Sequence, residues 1–285
     1  MRVAVFGDIH GNLPALEAVL ADIAARGADA LVCLGDLAFK GPAPSECVAL
    51  IRERGIPCVL GNTDFALARR AAGVAEPLPL SYSDDPAIWP YVDWHVDRLD
   101  RADLAYLETL PRQFRLTAGE ETVLFVHGTP DSLYDCIRPG QDPATVTAKL
   151  AGAEAACVVA GHIHDPFVFR ADGRLLVNAG GVGQSLDGDG RAAYVVLETE
   201  GVAVPAGEPR DAARQAPASQ GGGRSGGRLG SVEIRRVSYD IERTVRQARE
   251  QGFCFSPEWY GTALRKGSWD FIPWSRRGAI DAFSR

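Results

Sequence analysis

The chain has 285 residues, 46% of them hydrophobic, and a formal net charge of −7. A chain this long buries a sizeable core, and one main domain with an appendage is the expected organisation. The acidic balance argues against broad binding to nucleic-acid phosphates, but it admits a small phosphorylated substrate, because a metal centre supplies positive charge locally.

An apolar strand pattern, Arg2 to Phe6, begins at once, so no signal peptide is expected. No apolar stretch approaches the ~20 residues of a membrane span, so a cytoplasmic protein without a membrane partner is expected. Gly7-Asp8-Ile9-His10-Gly11-Asn12 follows, then a helix pattern from Leu13 to Arg26 with Asn12 as its cap and Gly27 as its stop. The run ALVCL ends at Gly35-Asp36, and a second helix is expected over Pro44 to Arg54. A strand from Ile56 to Leu60 leads to Gly61-Asn62-Thr63-Asp64, where Asp64 is expected to cap a short helix from Phe65 to Ala72.

Residues 75–111 are rich in proline and aromatics and read as a small helical cap that closes with a helix from Leu99 to Leu110. Two strands, Gln113 to Thr117 and Glu121 to Val126, join through a turn at Gly119 and end at His127-Gly128. A helix from Pro143 to Leu150 feeds the run ACVVA and then Gly161-His162-Ile163-His164. Strands follow at Phe167 to Arg170, Leu175 to Asn178 and Ala192 to Glu198, separated by the hairpin signals Asp172-Gly173 and Asp187-Gly188-Asp189-Gly190. Residues 205–230 lose all periodicity and read as a flexible insert. Val232 to Val237 alternates again and is expected to pair with Ala192 to Glu198, before helices at Ile241 to Gln251 and near Trp259 to Leu264. The expected division is a core over 1–204, the insert over 205–230, returning elements over 231–267 and a tail over 268–285.

Strands separated by helices imply parallel pairing, and every polar cluster stands at the carboxyl end of a buried strand, where open α/β sheets build their sites. Alone, Asp8 and His10 would serve as readily to cap a helix, and Asn62 to brace a loop. Five such motifs in order point instead to a metal centre. Neutral imidazoles, carboxylates and an amide suit Mn, Fe, Zn or Ni. Two such ions about 3.5–4 Å apart form a device for phosphoester cleavage. The six cysteines contain no C-x-x-C pair and read as small core residues in a reducing compartment.

The series resembles the calcineurin-like metallophosphoesterase superfamily, whose pattern runs D-x-H, G-D, G-N-H-(D/E), H and G-H-x-H. It spans Met1 to about Glu198, and the segment Val177 to Gln184 followed by Asp187-Gly188-Asp189 is similar to a turn of the small bacterial phosphodiesterase-like branch. The resemblance implies an α/β fold of four layers, α/β/β/α, with two mixed sheets flanked by helices. It also implies one metal held by Asp8, His10, Asp36 and His164, and a second held by Asp36, Asn62, His127 and His162. Manganese is the expected metal, Asp36 the bridge, and Asp36, Asn62 and His127 the catalytic set. Asn62 is also expected to hold substrate, with Lys40, Tyr134 and Arg138 as loop candidates for phosphate contact.

The implied reaction is in-line attack on phosphorus by a metal-bridging hydroxide, most simply on a phosphodiester. A dinucleoside polyphosphate hydrolase and a protein serine/threonine phosphatase are alternatives, and a non-catalytic scaffold of the same fold is the rival of another class. One departure stands out: Thr63 occupies the place of the superfamily's usual third-motif histidine, credited with assisting the leaving oxygen. Threonine donates a hydrogen bond but is no acid near neutral pH, so substrates with better leaving groups are expected. His95 is expected as an exposed or half-buried helix residue, with a place over the metals as the alternative.

Overall fold

The computed structural model describes residues 1–74, 89–118, 121–199 and 229–268. The start of the proline-rich cap, the turn at Gly119, the insert up to 228 and the tail from 269 lie outside the described residues. The first sheet has the order β2 (Ala30–Cys33), β1 (Arg2–Phe6), β8 (Ala192–Thr199), β9 (Leu229–Val237). The second has the order β3 (Gln113–Ala118), β4 (Glu121–Val126), β5 (Cys157–Ala160), β7 (Arg174–Asn178), β6 (Phe167–Ala171). Both are mixed. In the first, β1 runs parallel to β2 and antiparallel to β8; in the second, β4, β5 and β7 are parallel and the edges antiparallel.

The alternation of side chains along each strand builds the layers. Val3 and Val5 of β1, with Val195 and Leu197 of β8, meet Val123, Phe125, Val159 and Val177 of the second sheet in a core between the sheets. The intervening residues Ala4, Phe6, Tyr194 and Val196 face a second core with Leu16, Val19 and Ile23 of α1 (Leu13–Arg26) and Cys47, Val48 and Ile51 of α2 (Pro44–Glu53). On the far side, Leu124, Val126, Val158 and Leu176 cover Val146 of α6 (Pro143–Lys149). Strands whose two faces are both apolar read as near-continuous hydrophobic runs, which is how they appear in the sequence. The expected four-layer α/β/β/α order is the one found.

The cap contributes α4 (Trp89–Val96) and α5 (Arg101–Thr109), both packed on α3 (Asn62–Ala71). The returning segment supplies β9, which pairs with β8 as expected, then α7 (Ile241–Glu250) and α8 (Pro257–Lys266). No helix among the described residues is long and apolar enough to cross a membrane.

Two local expectations fail. Ile56 to Leu60 forms a single bridge, Cys33 to Cys58, rather than a strand. Pro57 has no N–H to give, so the ladder reduces to Cys33 N–H on Pro57 O and Val59 N–H on Cys33 O, and Leu60 N–H then turns to Pro111 O (2.8 Å). Helix α3 also begins three residues earlier than expected, with Gly61 at its cap. Asp64 is therefore inside the first turn, not before it, and caps the helix from there by accepting from Gly61 N–H (3.3 Å). Its carboxylate accepts from Asp36 N (2.7 Å) and Leu37 N (2.8 Å), and so braces the neighbouring loop.

Candidate metal centre

The five motifs converge at the carboxyl ends of the two sheets. Asp8 N–H donates to Gly35 O, His10 N–H to Asp36 O and Gly11 N–H to Leu37 O, each at 2.9 Å, so the first two loops run side by side. Val182 N–H donates to Gly7 O (3.0 Å) and Gly183 N–H to Asp8 O (2.9 Å), which ties in the turn after β7. His162 N–H donates to Asp8 Oδ2 (2.9 Å). A Cβ on Gly161 would stand 2.6 Å from that same oxygen, and one on Gly61 would stand 2.1 Å from Asp36 Oδ1. Glycine at these two places is what lets backbone approach the carboxylates.

The backbone is strained where the motifs meet. Seven non-glycine residues among those described have left-handed φ, and six belong to these loops: Asp8 (52°), His10 (48°), Asp36 (54°), Lys40 (81°), His162 (71°) and His164 (59°). Such positions cost about 1–3 kcal/mol each and persist only where their surroundings hold them. Here the inter-loop hydrogen bonds do so.

The hydrogen bonds also fix the imidazole tautomers. His10 Nδ1 donates to Phe39 O (2.9 Å) and His164 Nδ1 to Gln184 O (2.6 Å), which leaves a lone pair on each Nε2. Those two Nε2 atoms lie 3.0 Å apart with no proton to share. On the other side, His127 Nδ1 donates to Leu34 O (2.8 Å) and His162 Nε2 to Tyr134 O (3.2 Å). The remaining lone pairs, His127 Nε2 and His162 Nδ1, point at Asn62 Oδ1 from 2.8 Å and 3.0 Å. Asp36 Oδ2 lies 3.7 Å from His10 Nε2 and 3.6 Å from His127 Nε2, between the two groups. Asp36 Oδ1 accepts from Thr63 N–H (2.9 Å). Asp8 Oδ1 is buried with no hydrogen-bond partner, 3.2 Å from His164 Nε2.

A buried cluster of acceptors without donors is costly unless a cation sits among them. Asp8, His10 and His164 form one group able to hold an ion, and Asp8, Asp36 and His127 another. Asn62 and His162 join the second through their facing atoms. The donor set fits a borderline divalent metal. Burial works to raise the Asp8 carboxyl, but the imidazoles of His164, His127 and His10 outweigh it and hold the group well below its usual range. Burial and the neighbouring Lys40 push His10 down, and burial with His127 brings His162 to about 4. His127 goes the other way: burial lowers it, and Asp36 with Asp8 more than compensates. Asp64, buried against Asp36, is raised to about 7.

The structure brings all seven expected ligands together. Lys40 is buried beside them, close enough for Asp36 and Asp8 to offset part of its burial penalty. Arg138 is exposed in the loop after β4, where its N–H donates to Gln141 Oε1. His95 corrects the sequence expectation, being fully buried rather than exposed or half-buried: its Nδ1 donates to Tyr91 O (2.8 Å) and its Nε2 accepts from Lys40 N–H (3.1 Å). It therefore anchors the Lys40 loop to the cap. Sequence reasoning also missed Asn178, whose Nδ2 donates to Gly161 O (2.6 Å) and whose Oδ1 accepts from Gly180 N–H (3.0 Å).

A family model described as the calcineurin-like phosphoesterase superfamily domain matches residues 1–201. A metallophosphoesterase of known crystal structure from Sphaerobacter thermophilus is 30% identical, with a TM-score of 0.66, over 94% of this chain and 100% of that one. An uncharacterized protein of Methanocaldococcus jannaschii is 28% identical over 283 residues, 93% of this chain and 98% of its own. These two matches extend well past residue 201, into the segment that begins with β9. A symmetrical bis(5'-nucleosyl)-tetraphosphatase of Pectobacterium atrosepticum is 30% identical over 111 residues, 38% of this chain and 40% of that protein.

Proposed function

We propose a two-metal hydrolytic centre for this chain, which belongs to the calcineurin-like phosphoesterase superfamily and is a phosphoesterase. Asp8, His10, Asp36 and His164 would hold one ion, and Asp36, Asn62, His127 and His162 the other, with Asp36 shared. The observation that carries this is the set of four imidazole lone pairs facing other acceptors with no donor between them. Two divalent ions there, manganese being our choice, would lower the pKa of coordinated water and offset phosphoryl charge.

The chain's own residues set the rest. Thr63 N–H and the Asp64 carboxylate hold Asp36 and its loop in place, so the shared carboxylate needs no reorganisation. The Asn62 amide stands at the start of α3, where it can orient a phosphoryl oxygen, and Lys40 adds positive charge on the His10 side. Neither the Thr63 hydroxyl nor any of the four tautomer-locked imidazoles is set up to give a proton to a leaving oxygen. The rate should then follow the acidity of the leaving group, which favours phosphodiesters with good leaving groups. Phosphoanhydrides are a second substrate class, favoured by the partial match to the tetraphosphatase.

The test is a panel on protein reconstituted with Mn²⁺. Aryl phosphodiesters should turn over at least about a hundredfold faster than simple alkyl monoesters, the scale on which a missing general acid is felt. Equal or faster alkyl monoester hydrolysis would remove the leaving-group argument. A preparation that binds no metal and hydrolyses nothing would favour the scaffold. All six cysteines are free, in keeping with the cytoplasmic setting we propose.

A further inference from the structure

Asn12 closes the first motif two residues after His10, and capping α1 uses only part of its amide. Its Oδ1 accepts from Ala15 N–H (3.3 Å), which is the cap, and also from the Thr244 hydroxyl (2.9 Å). Its Nδ2 donates to Gly183 O (2.9 Å) and to the Tyr239 hydroxyl oxygen (3.2 Å). A side-chain amide has two N–H groups and two acceptor positions, and here all four are taken. A helix cap needs one oxygen, which serine or aspartate supplies as well. The other contacts call for a separate reason. Asn12 and Thr244 are fully buried, and a buried network with every member satisfied holds its geometry firmly.

The contacts lead in two directions. Tyr239 and Thr244 lie in the returning segment, at the entry to α7 and within it, beyond residue 201 where the family match ends. Gly183 leads to the centre. Its N–H donates to Asp8 O (2.9 Å), and the next residue, Gln184, offers the carbonyl that receives His164 Nδ1–H (2.6 Å). The returning segment grips the other side of Gln184 too. Arg236 of β9 pairs with Asp187 and donates to Ser185 Oγ (3.2 Å), while the Ser185 hydroxyl donates to Asp187 Oδ1 (2.6 Å). The Gln184 carbonyl is thus held between two anchors, Gly183 through Asn12 and Ser185 through Arg236. Its direction decides where the His164 Nε2 lone pair points. The carbonyls that serve His127 and His162, Leu34 O and Tyr134 O, stand in other loops.

We propose that Asn12 is a positioning residue through which the returning segment, by Tyr239 and Thr244, sets the affinity of the Asp8, His10 and His164 side for its metal ion. This rests on the two-metal reading above and deepens it. An imidazole held by a fixed carbonyl presents its lone pair in one direction. A carbonyl free to turn would let the ring turn with it, and binding would then have to order both.

The experiment titrates Mn²⁺ into the metal-free full chain by calorimetry, in two backgrounds. His162→Ala weakens the Asn62 side and so reports on the His164 side, and His164→Ala does the reverse. Asn12→Ser keeps a capping oxygen but cannot reach Gly183. It should lower Mn²⁺ affinity by about tenfold or more in the His162→Ala chain, the scale on which the partner of a ligand imidazole is felt, and by less than about twofold in the His164→Ala chain. Thr244→Val should give a smaller loss on the same side, and Thr244→Ser should restore the wild-type value. A general loosening of the fold would lower both affinities alike. That result, or no loss in either background, would overturn the positioning role. The Thr244 variants leave the cap of α1 untouched, so they decide the matter if the thermal midpoint shows Asn12→Ser to be unfolded. If wild type takes up a single ion, the two-metal reading fails, while the contrast between the two backgrounds still decides the role of Asn12. Uptake of no ion would sink both.

Discussion

One buried histidine, His95, and a group of four at the centre lie on either side of the Asp36–Lys40 loop, and they obey opposite rules. Around His95 every polar atom is satisfied: one ring nitrogen donates to Tyr91 O, the other accepts from Lys40 N–H, and Phe39, Tyr91 and Trp94 pack edge-on with centroids 4.8–4.9 Å away. At the centre, His10, His127, His162 and His164 each use one nitrogen on a carbonyl and aim the other at an acceptor. The backbone there is left-handed at six side-chain-bearing positions. One histidine environment stabilises the fold, while the other stores strain and unmet polar demand that a cation would relieve. Substitutions should therefore divide cleanly between the two.

The largest effect should come from Asp36→Asn. Asparagine keeps an oxygen to accept from Thr63 N–H but loses the charge that both groups of imidazoles share. Hydrolysis should fall by about a thousandfold, the scale seen when one preorganised charge-stabilising group is removed. Bound metal should drop from two towards one per chain by elemental analysis, while the metal-free protein melts within a few degrees of wild type. Near-normal turnover in this variant would break the shared-carboxylate model.

His95→Gln probes the other side, through acid sensitivity. Burial brings the folded imidazole to about 3, against 6.5 for the free group. Between those values the unfolded chain takes up a proton that the folded chain refuses. Stability from this group is complete above about pH 6.5 and is lost as pH falls, by up to about 1.4 kcal/mol per pH unit. Glutamine has both a donor and an acceptor to replace the two hydrogen bonds and does not titrate. Urea midpoints at pH 7 and pH 5 should therefore draw closer together in the variant, and its metal content should stay at the wild-type value. An unchanged gap between the midpoints would remove His95 as a source of acid sensitivity.

The unequal legibility of these regions has physical causes. The seven ligand candidates were legible because each stands just after a short apolar run, and the resemblance then grouped them around two ions. The left-handed angles at Asp8, His10 and His162 were not, since nothing in a non-glycine residue announces φ > 0; the inter-loop hydrogen bonds impose it. Asp64 was misread because the helix start was judged from the apolar residue Phe65, whereas Gly61 opens the turn. His95 was misread because the rings that pack around it include Phe39 and Phe253, 56 and 158 positions away, which no local pattern brings together. The strand expected over Ile56 to Leu60 failed on Pro57, a signal that was present and underweighted.

The smallest effect should be at Thr63, and it sharpens the comparison most. The residue is 1% exposed, its N–H holds Asp36, and its hydroxyl has no hydrogen-bond partner. Valine keeps the shape and the N–H and removes the unmet hydroxyl. If the hydroxyl is simply unsatisfied, Thr63→Val should be neutral or stabilising by up to about 1 kcal/mol in metal-free protein, since a buried polar group without a partner costs about that much. Aryl diester turnover should stay within a few-fold of wild type. The backbone of Thr63 would then belong to the centre, while its side chain only fills the place of the absent histidine. A tenfold or larger loss of turnover at unchanged stability and metal content would mean instead that the hydroxyl meets the substrate as a hydrogen-bond donor.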